Sequence, residues 1–465
     1  MKYVSSRGKA PELGFEDVLL AGLARDGGLY IPAVFPKLSP DDIRSFRGMS
    51  YQDVAFRVMK PFVCGEGSGM GEADFEEIIA KAYGSFRHQA IVPLSQLGSN
   101  EWILELYHGP TLAFKDVALQ LLGPLFDHVL TKQGRKVTIV GATSGDTGSA
   151  AIECVKGRAC AEIFMLHPKG RVSDVQRKQM TTVMSPNVHN LAVEGNFDDC
   201  QAMVKALFND LSFRDEITLS AVNSINWARV MAQIVYYFTS AVALGAPDRE
   251  ISYSVPTGNF GDIYAGYVAK QMGLPIKQLI VATNRNDILT RVLTTGDYTV
   301  GTVCPTISPS MDIQVSSNFE RLLYNLYEGN GDEVCRLMDN LKQSGSFTLD
   351  GPQLSKAQQI FEAIQVSEAE TENTIKDVFE HSDRVIDPHT AVGVAAARAK
   401  NADAAVPMVI LSTAHPAKFP EAVEKVTGQH PALPAHMADL FVRPEKCDHL
   451  AHDLDALKTY IRETR

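Results

Sequence analysis

The stretch Lys136 to Val155, KVTIVGATSGDTGSAAIECV, decides the fold. A β-rich run, VTIV, breaks into a loop of Gly, Thr, Ser and Asp, and a helical period follows. The pattern recurs at AEIFMLHPKGRVSDVQRKQM (161–180), VHNLAVEGNFDDCQAMVKALF (188–208), EISYSVPTGNFGDIYAGYVAKQM (250–272), KQLIVATNRNDILTRVL (277–293) and VPMVILSTAHPAKFPEAVEKV (406–426). Strand, loop and helix in alternation predict an α/β fold with parallel strands and crossover helices. Ligands in such folds sit beyond the carboxyl ends of the strands, so the Gly-rich loops are the places to look for chemistry.

Around this core, residues 1–90 read as a leader of short amphipathic helices with turn signals such as RDGGLYIP (25–32). An α/β core is expected over 91–320, a helical, acidic insertion over 321–385, and the completion of the core over 386–465. The chain has 465 residues, and its net charge of −11, from 44 Lys and Arg against 55 Asp and Glu, argues against nucleic acid or an anionic membrane as the main partner. Seven cysteines show no CxxC pair or His-Cys cluster, the pattern of scattered thiols in a reducing compartment, and the cytoplasm is expected. Neither an apolar signal core nor a run of about twenty apolar residues is present, so no membrane span is expected. No metal site is apparent.

Three loops and one lysine are candidates. In SVPTGNFGDIYAG the residues Gly258, Asn259, Phe260 and Gly261 lie between a strand end and a helix start. Backbone N–H groups and the positive dipole end suit a phosphate there, and a tight strand-to-helix turn capped by Asn259 is the alternative. Neither GxGxxG nor GxxxxGK[ST] is present, which disfavours a nicotinamide dehydrogenase and a P-loop enzyme. In GATSGDTGSAAI, Thr143, Ser144, Gly145, Asp146 and Thr147 read first as a set of helix caps, and alternatively as a polar helix start suited to a carboxylate. Thr413, just past the last strand, offers a hydroxyl to a heterocyclic nitrogen or to the next helix.

The lysine stands in YHGPTLAFKD (107–116). Apolar positions Val117, Ala118, Leu121, Leu122, Leu125, Phe126 and Val129 follow a helical stripe. Lys115 falls on the border of that stripe and Asp116 nearly opposite, and Pro124 is a place for the helix to bend or restart. A lysine near a buried side is either functional or a stem that snorkels to water.

Together these motifs resemble threonine synthases, specifically the longer form found in bacteria and fungi. The matching stretches are MKYVSSRG, GLARDGGLYIP, YHGPTLAFKD, GATSGDTGSAA, VNSINWARV, VPTGNFGDIYAG, DPHTAVGVAA and LSTAHPAKF, from residue 1 to about 420. The resemblance implies a fold type II pyridoxal-phosphate enzyme, like the tryptophan synthase β subunit, with an N-terminal helical region and a helical C-terminal insertion. It implies that Lys115 holds pyridoxal 5'-phosphate as a Schiff base, that Gly258, Asn259, Phe260 and Gly261 hold its phosphate, and that Thr413 faces the pyridine nitrogen. It further implies that Thr143, Ser144, Gly145, Asp146 and Thr147 receive the substrate carboxylate; many relatives carry Asn in place of Asp146.

The implied reaction turns O-phospho-L-homoserine and water into L-threonine and phosphate, with Lys115 as the proton-transferring base. Because that substrate is an anion, Lys169, Arg171, Arg177 and Arg229, with Asn223 and Asn226, form a pool of expected ligands. Asp387 and His389 either approach the site or cap a helix. A phospho-lyase making 2-oxobutyrate is the nearest rival, and a catalytically silent relative is a more distant one. The oligomeric state is open between monomer and homodimer.

Overall fold

The computed structural model describes residues 1–65, 69–143, 145–220 and 222–465. The chain forms two compact units: Met1–Ala80, Phe86–His108 and Ser224–Pro431 make the first, and Lys81–Ser85, Gly109–Asn223 and Ala432–Arg465 the second.

The first unit is built on a six-stranded sheet. Its strands run in the order Phe361–Gln365, Ile276–Thr283, Ile251–Pro256, Met408–Ser412, Glu101–Glu105 and Leu94–Gln96. All neighbours are parallel except the last pair, which is antiparallel. The strand Ile251–Pro256 is buried along its whole length, as expected when helices cover both faces of a parallel sheet. One side packs on the helices Glu368–Ser382 and Pro388–Lys400 through Ile103, Ile280, Ile375, Val378, Val392 and Ile410. Because Ile251–Pro256 and Met408–Ser412 are parallel neighbours, the loop after Pro256 and the residue Thr413 lie at the same edge of the sheet.

The leader is less helical than its sequence suggests. Tyr3–Ser5 pairs antiparallel with Tyr30–Pro32, inside the RDGGLYIP stretch read as a turn signal. All three residues of the second strand are buried, so a run this short has no alternation to betray it. The region 321–385 is also mixed. It contains helices, but Phe361–Gln365 is the edge strand of the main sheet and Ser346–Thr348 pairs with Asp297–Thr299.

The second unit has a wholly parallel five-stranded sheet in the order Asp448–Leu450, Val188–Val193, Ala161–Pro168, Val137–Ala142 and Leu219–Ser220. The helices Phe197–Asn209 and Leu454–Thr464 cover one side through Val140, Phe164, Leu191, Met203, Leu207 and Leu457. The helix Lys115–Gln133 runs unbroken through Pro124, where a restart was an open expectation. Losing one N–H costs a proline-bearing helix a hydrogen bond, and burial on all sides of residues 115–126 holds the rest in register. No helix among the described residues is long and apolar enough to cross a membrane.

Candidate functional site

In the second unit, the loop ahead of Lys115 closes on itself. The Thr111 backbone N–H donates to Asp116 Oδ2 at 2.7 Å, and the Thr111 hydroxyl to Asp116 Oδ1 at 2.8 Å. Asp116 is fully buried, a correction to the expectation that it points away from the apolar stripe. The helix is enclosed on every side, so a one-sided stripe does not describe it, and the carboxylate is stabilised by its two donors instead of by water. This closed turn places Lys115 at the first position of the helix.

Lys115 is 8% exposed, and its Nζ lies 3.7 Å from Asp146 Oδ2 and 5.0 Å from the centre of the Phe114 ring. The stem therefore does not snorkel to solvent, and the ammonium is held within the unit. Asp146 begins the helix Asp146–Val155, and its Oδ1 accepts from Gln176 Nε2 at 2.8 Å. Gln176 also explains Gly145. That residue has φ of 148°, and a Cβ on it would sit 2.3 Å from Gln176 Oε1.

The cap of this helix start is Thr143, whose hydroxyl oxygen accepts from the N–H groups of Gly145 and Gly148, both at 2.9 Å. Thr147 is half-buried, and Ser144 lies outside the described residues. Of the expected anion ligands in this unit, Lys169 is ion-paired with Glu194 at 2.6 Å, and Arg177 is held by Glu445 and Asp174. Arg171 and Asn223 are exposed.

In the first unit, the loop after Ile251–Pro256 is fixed from behind. Ser316 Oγ donates to the Gly258 carbonyl at 2.8 Å, and the Asn318 backbone N–H and Nδ2 both donate to the Asn259 carbonyl at 3.1 Å. With those carbonyls anchored, the N–H groups of Gly258, Asn259, Phe260 and Gly261 have no acceptor among the described residues. Phe260 has φ of 61°, a left-handed conformation unusual for a bulky residue. Its ring packs edge-on against Phe319 at 5.3 Å and Phe361 at 5.5 Å, which offsets the backbone cost. A Cβ on Gly258 would lie 3.0 Å from Ile313 Cδ1 and 3.1 Å from the Ser310 carbonyl oxygen. Four N–H groups at the start of the helix Gly261–Gln271, without competing acceptors, make a cradle that fits a phosphate. Asn259 does not cap the helix with its side chain, so the alternative of a simple capped turn is not what the structure adopts.

Thr413 is 6% exposed beside this loop's strand, and a neutral hydroxyl there suits a pyridine nitrogen. Arg229 is buried in the helix Trp227–Ala243, whose cap is Asn226: its Oδ1 accepts from Ala228 N–H at 3.0 Å and its Nδ2 donates to the Leu19 carbonyl at 2.8 Å. Asn226 is thus occupied by the fold.

Asp262 and its two tyrosine partners gave no signal in the sequence. Asp262, the second residue of the helix after the cradle, is buried and accepts from the hydroxyls of Tyr236 and Tyr237. Burial pushes its carboxyl up to about 7 against the two tyrosine donors, and its Oδ2 has no partner among the described residues. Asp387 caps the helix Pro388–Lys400 and also bonds His389 Nδ1 at 2.8 Å. His389 Nε2 accepts from the Ser310 N–H at 3.2 Å, so the imidazole proton is on Nδ1 and the pair braces the segment packed on Gly258. The sequence left capping and approach to the site as alternatives, and Asp387 does cap.

Comparison with known proteins agrees with these features. Residues 2–83 match a family model described as threonine synthase N terminus, residues 87–341 the pyridoxal-phosphate dependent enzyme family, and residues 390–461 the threonine synthase C-terminal family. The chain is 56% identical to a Pseudomonas aeruginosa threonine synthase over 100% of its own length and 98% of the relative. A crystal structure of pyridoxal-phosphate-bound threonine synthase from Brucella melitensis superposes with a TM-score of 0.97 at 56% identity, covering 100% of this chain and 99% of the other. Yeast threonine synthase gives 0.95 at 41% identity, covering 100% and 98%. A buried lysine at a helix head, a phosphate cradle after a parallel strand and likeness along the whole chain lead to one conclusion: the chain belongs to the threonine synthase family of pyridoxal-phosphate-dependent enzymes.

Proposed function

We propose that the protein converts O-phospho-L-homoserine and water to L-threonine and phosphate with pyridoxal 5'-phosphate as cofactor. The observation that carries this is Lys115, a buried amine held by Asp146, in a chain 56% identical over its whole length to a threonine synthase. When bound, the cofactor supplies an electron sink that makes loss of a proton next to the substrate amine feasible.

The protein's own groups do the rest. The N–H groups of Gly258, Asn259, Phe260 and Gly261 would hold the cofactor phosphate, and the Thr413 hydroxyl would offer the pyridine nitrogen a neutral partner. Lys115 would hold the cofactor and, as a free amine, would move the substrate Cα proton and then the Cβ proton through Nζ, passing the first on before it takes the second. Asp146 Oδ2 keeps that amine oriented as it gains charge, and Gln176 keeps Asp146 in place. Thr143, Ser144, Gly145, Asp146 and Thr147 position the substrate carboxylate at the helix start, where the dipole favours an anion. Loss of phosphate from Cγ would be matched by delivery of a proton to Cγ, which becomes the methyl group, water would add at Cβ, and Lys115 would return a proton at Cα.

Arg229 and Asn223 are kept as substrate-phosphate ligands. Lys169 and Arg177 are weaker candidates because carboxylates already hold them. The seven cysteines, all free thiols, support a reducing compartment such as the cytoplasm. Product analysis with phosphohomoserine tests the assignment: threonine and phosphate in equal amounts support it, and 2-oxobutyrate with ammonia would replace it by the lyase.

A further inference from the structure

Arg321, in the first turn of the helix Phe319–Leu326, is completely buried. Its Nε and Nη2 donate to the Tyr30 carbonyl at 3.1 and 3.0 Å, Nη2 donates to the Ile225 carbonyl at 2.6 Å, and Nη1 donates to Asn318 Oδ1. The guanidinium also lies 5.8 Å from the Trp227 ring. None of these partners carries a negative charge. The neighbouring carboxylate, Glu320, is taken by Arg7, whose Nε and Nη2 each reach it at 3.0 Å, and by the Ser6 hydroxyl at 2.6 Å. A buried cation without its own anion is costly, and burial indeed lowers the Arg321 guanidinium to about 10. Such a charge persists where something else in the site uses it.

The contacts show where it leads. Asn318 receives the Arg321 N–H on Oδ1 and passes polarity on through Nδ2, which donates to the Asn259 carbonyl at 3.1 Å. That carbonyl belongs to the peptide whose N–H is that of Phe260, one of the four in the cradle. Chains of hydrogen bonds polarise one another, so a positive charge behind the carbonyl strengthens the N–H in front of it as a donor. We propose that Arg321 is a positioning residue for the anion bound at Gly258–Gly261, its charge reaching that anion through the Asn318 amide and the Asn259–Phe260 peptide. This rests on the phosphate site proposed above, and it gives the region 321–385 a part in cofactor binding.

The test compares the binding of pyridoxal 5'-phosphate with that of pyridoxal, which lacks the phosphate, to full-length protein freed of cofactor. Wild type, Arg321→Gln, Arg321→Lys and Asn318→Ala are measured, and a ³¹P NMR pH titration of the bound phosphate is run alongside. Arg321→Gln and Asn318→Ala are expected to weaken the phosphorylated cofactor by about tenfold or more, as for loss of a charge-assisted partner, with pyridoxal little affected. Arg321→Lys should recover most of the preference, and the bound phosphate should titrate at higher pH in Arg321→Gln than in wild type.

Equal weakening of both ligands, or an unchanged preference in both Arg321→Gln and Asn318→Ala, would overturn the proposal while leaving the phosphate site intact. A wild type that does not prefer the phosphorylated ligand would remove the phosphate site itself, and Arg321 with it. Asn318→Ala retains the arginine with its Tyr30 and Ile225 contacts, so it decides the question where an Arg321 variant fails to fold.

Discussion

The Lys115 amine and the Asp146 carboxylate stand 3.7 Å apart, both nearly buried, with Gln176 holding the other carboxylate oxygen at 2.8 Å. Asp146 is therefore the charge partner of the proposed proton-transferring amine. Asp146→Asn keeps an oxygen for Gln176 and removes only the charge. The variant is expected to retain cofactor and fold but to lose about ten- to a hundredfold in kcat, the range of a general-base step that loses part of its support. Steady-state kinetics with cofactor occupancy measured in parallel check this.

Gly145→Ala should be far more disruptive than its single methyl suggests. The backbone there is at φ of 148°, and the new Cβ would meet Gln176 Oε1 at 2.3 Å, so both the turn and the Gln176–Asp146 bond must shift. A stability loss of about 2 kcal/mol, together with a raised KM for phosphohomoserine, is expected. Denaturation midpoints and saturation kinetics on the same preparation read both.

Asp262 makes the fold sensitive to pH. Burial pushes its carboxyl up to about 7 in the folded chain, against an ordinary value of 3.8. Between those values the folded chain keeps a proton that the unfolded chain has released, so the contribution to stability is full below about 4. It declines as pH rises to about 7 and is constant above, by up to about 4 kcal/mol. In Asp262→Asn this decline should vanish, because a neutral amide oxygen still accepts from Tyr236 and Tyr237. Thermal midpoints at pH 4.5 and 8 for both proteins test it; equal slopes in the two would refute it.

The positions of the loops were legible because a β-rich run that gives way to Gly, Thr and Asp has few other readings. Ile251–Pro256 ends where its sequence implies, whereas Val137–Ala142 carries the strand two residues past VTIV into the expected loop. Lys115 was half-legible: periodicity set it on the edge of a buried stripe, whereas Asp116 was misjudged because the helix has no solvent face at that point. Thr143 accepts from the N–H groups of Gly145 and Gly148, a role that depends on exact backbone angles and that its loop's polar composition does not single out.

The braces behind the cradle could not be read. Ser316 and Asn318 reach Gly258 and Asn259 from almost sixty residues downstream, and Gln176 meets Asp146 thirty residues on. No local pattern encodes such pairings, because they form only when the folded chain brings distant segments together.

The most direct test is to supply phosphohomoserine to purified wild type and Lys115→Ala, recording visible absorbance and measuring threonine and phosphate. Wild type is expected to show the absorbance of bound cofactor and to form the two products in equal amounts, with both signals lost in Lys115→Ala. A Lys115→Ala protein that still makes threonine at the wild-type rate would contradict the account, since the buried amine would then have no part in the chemistry.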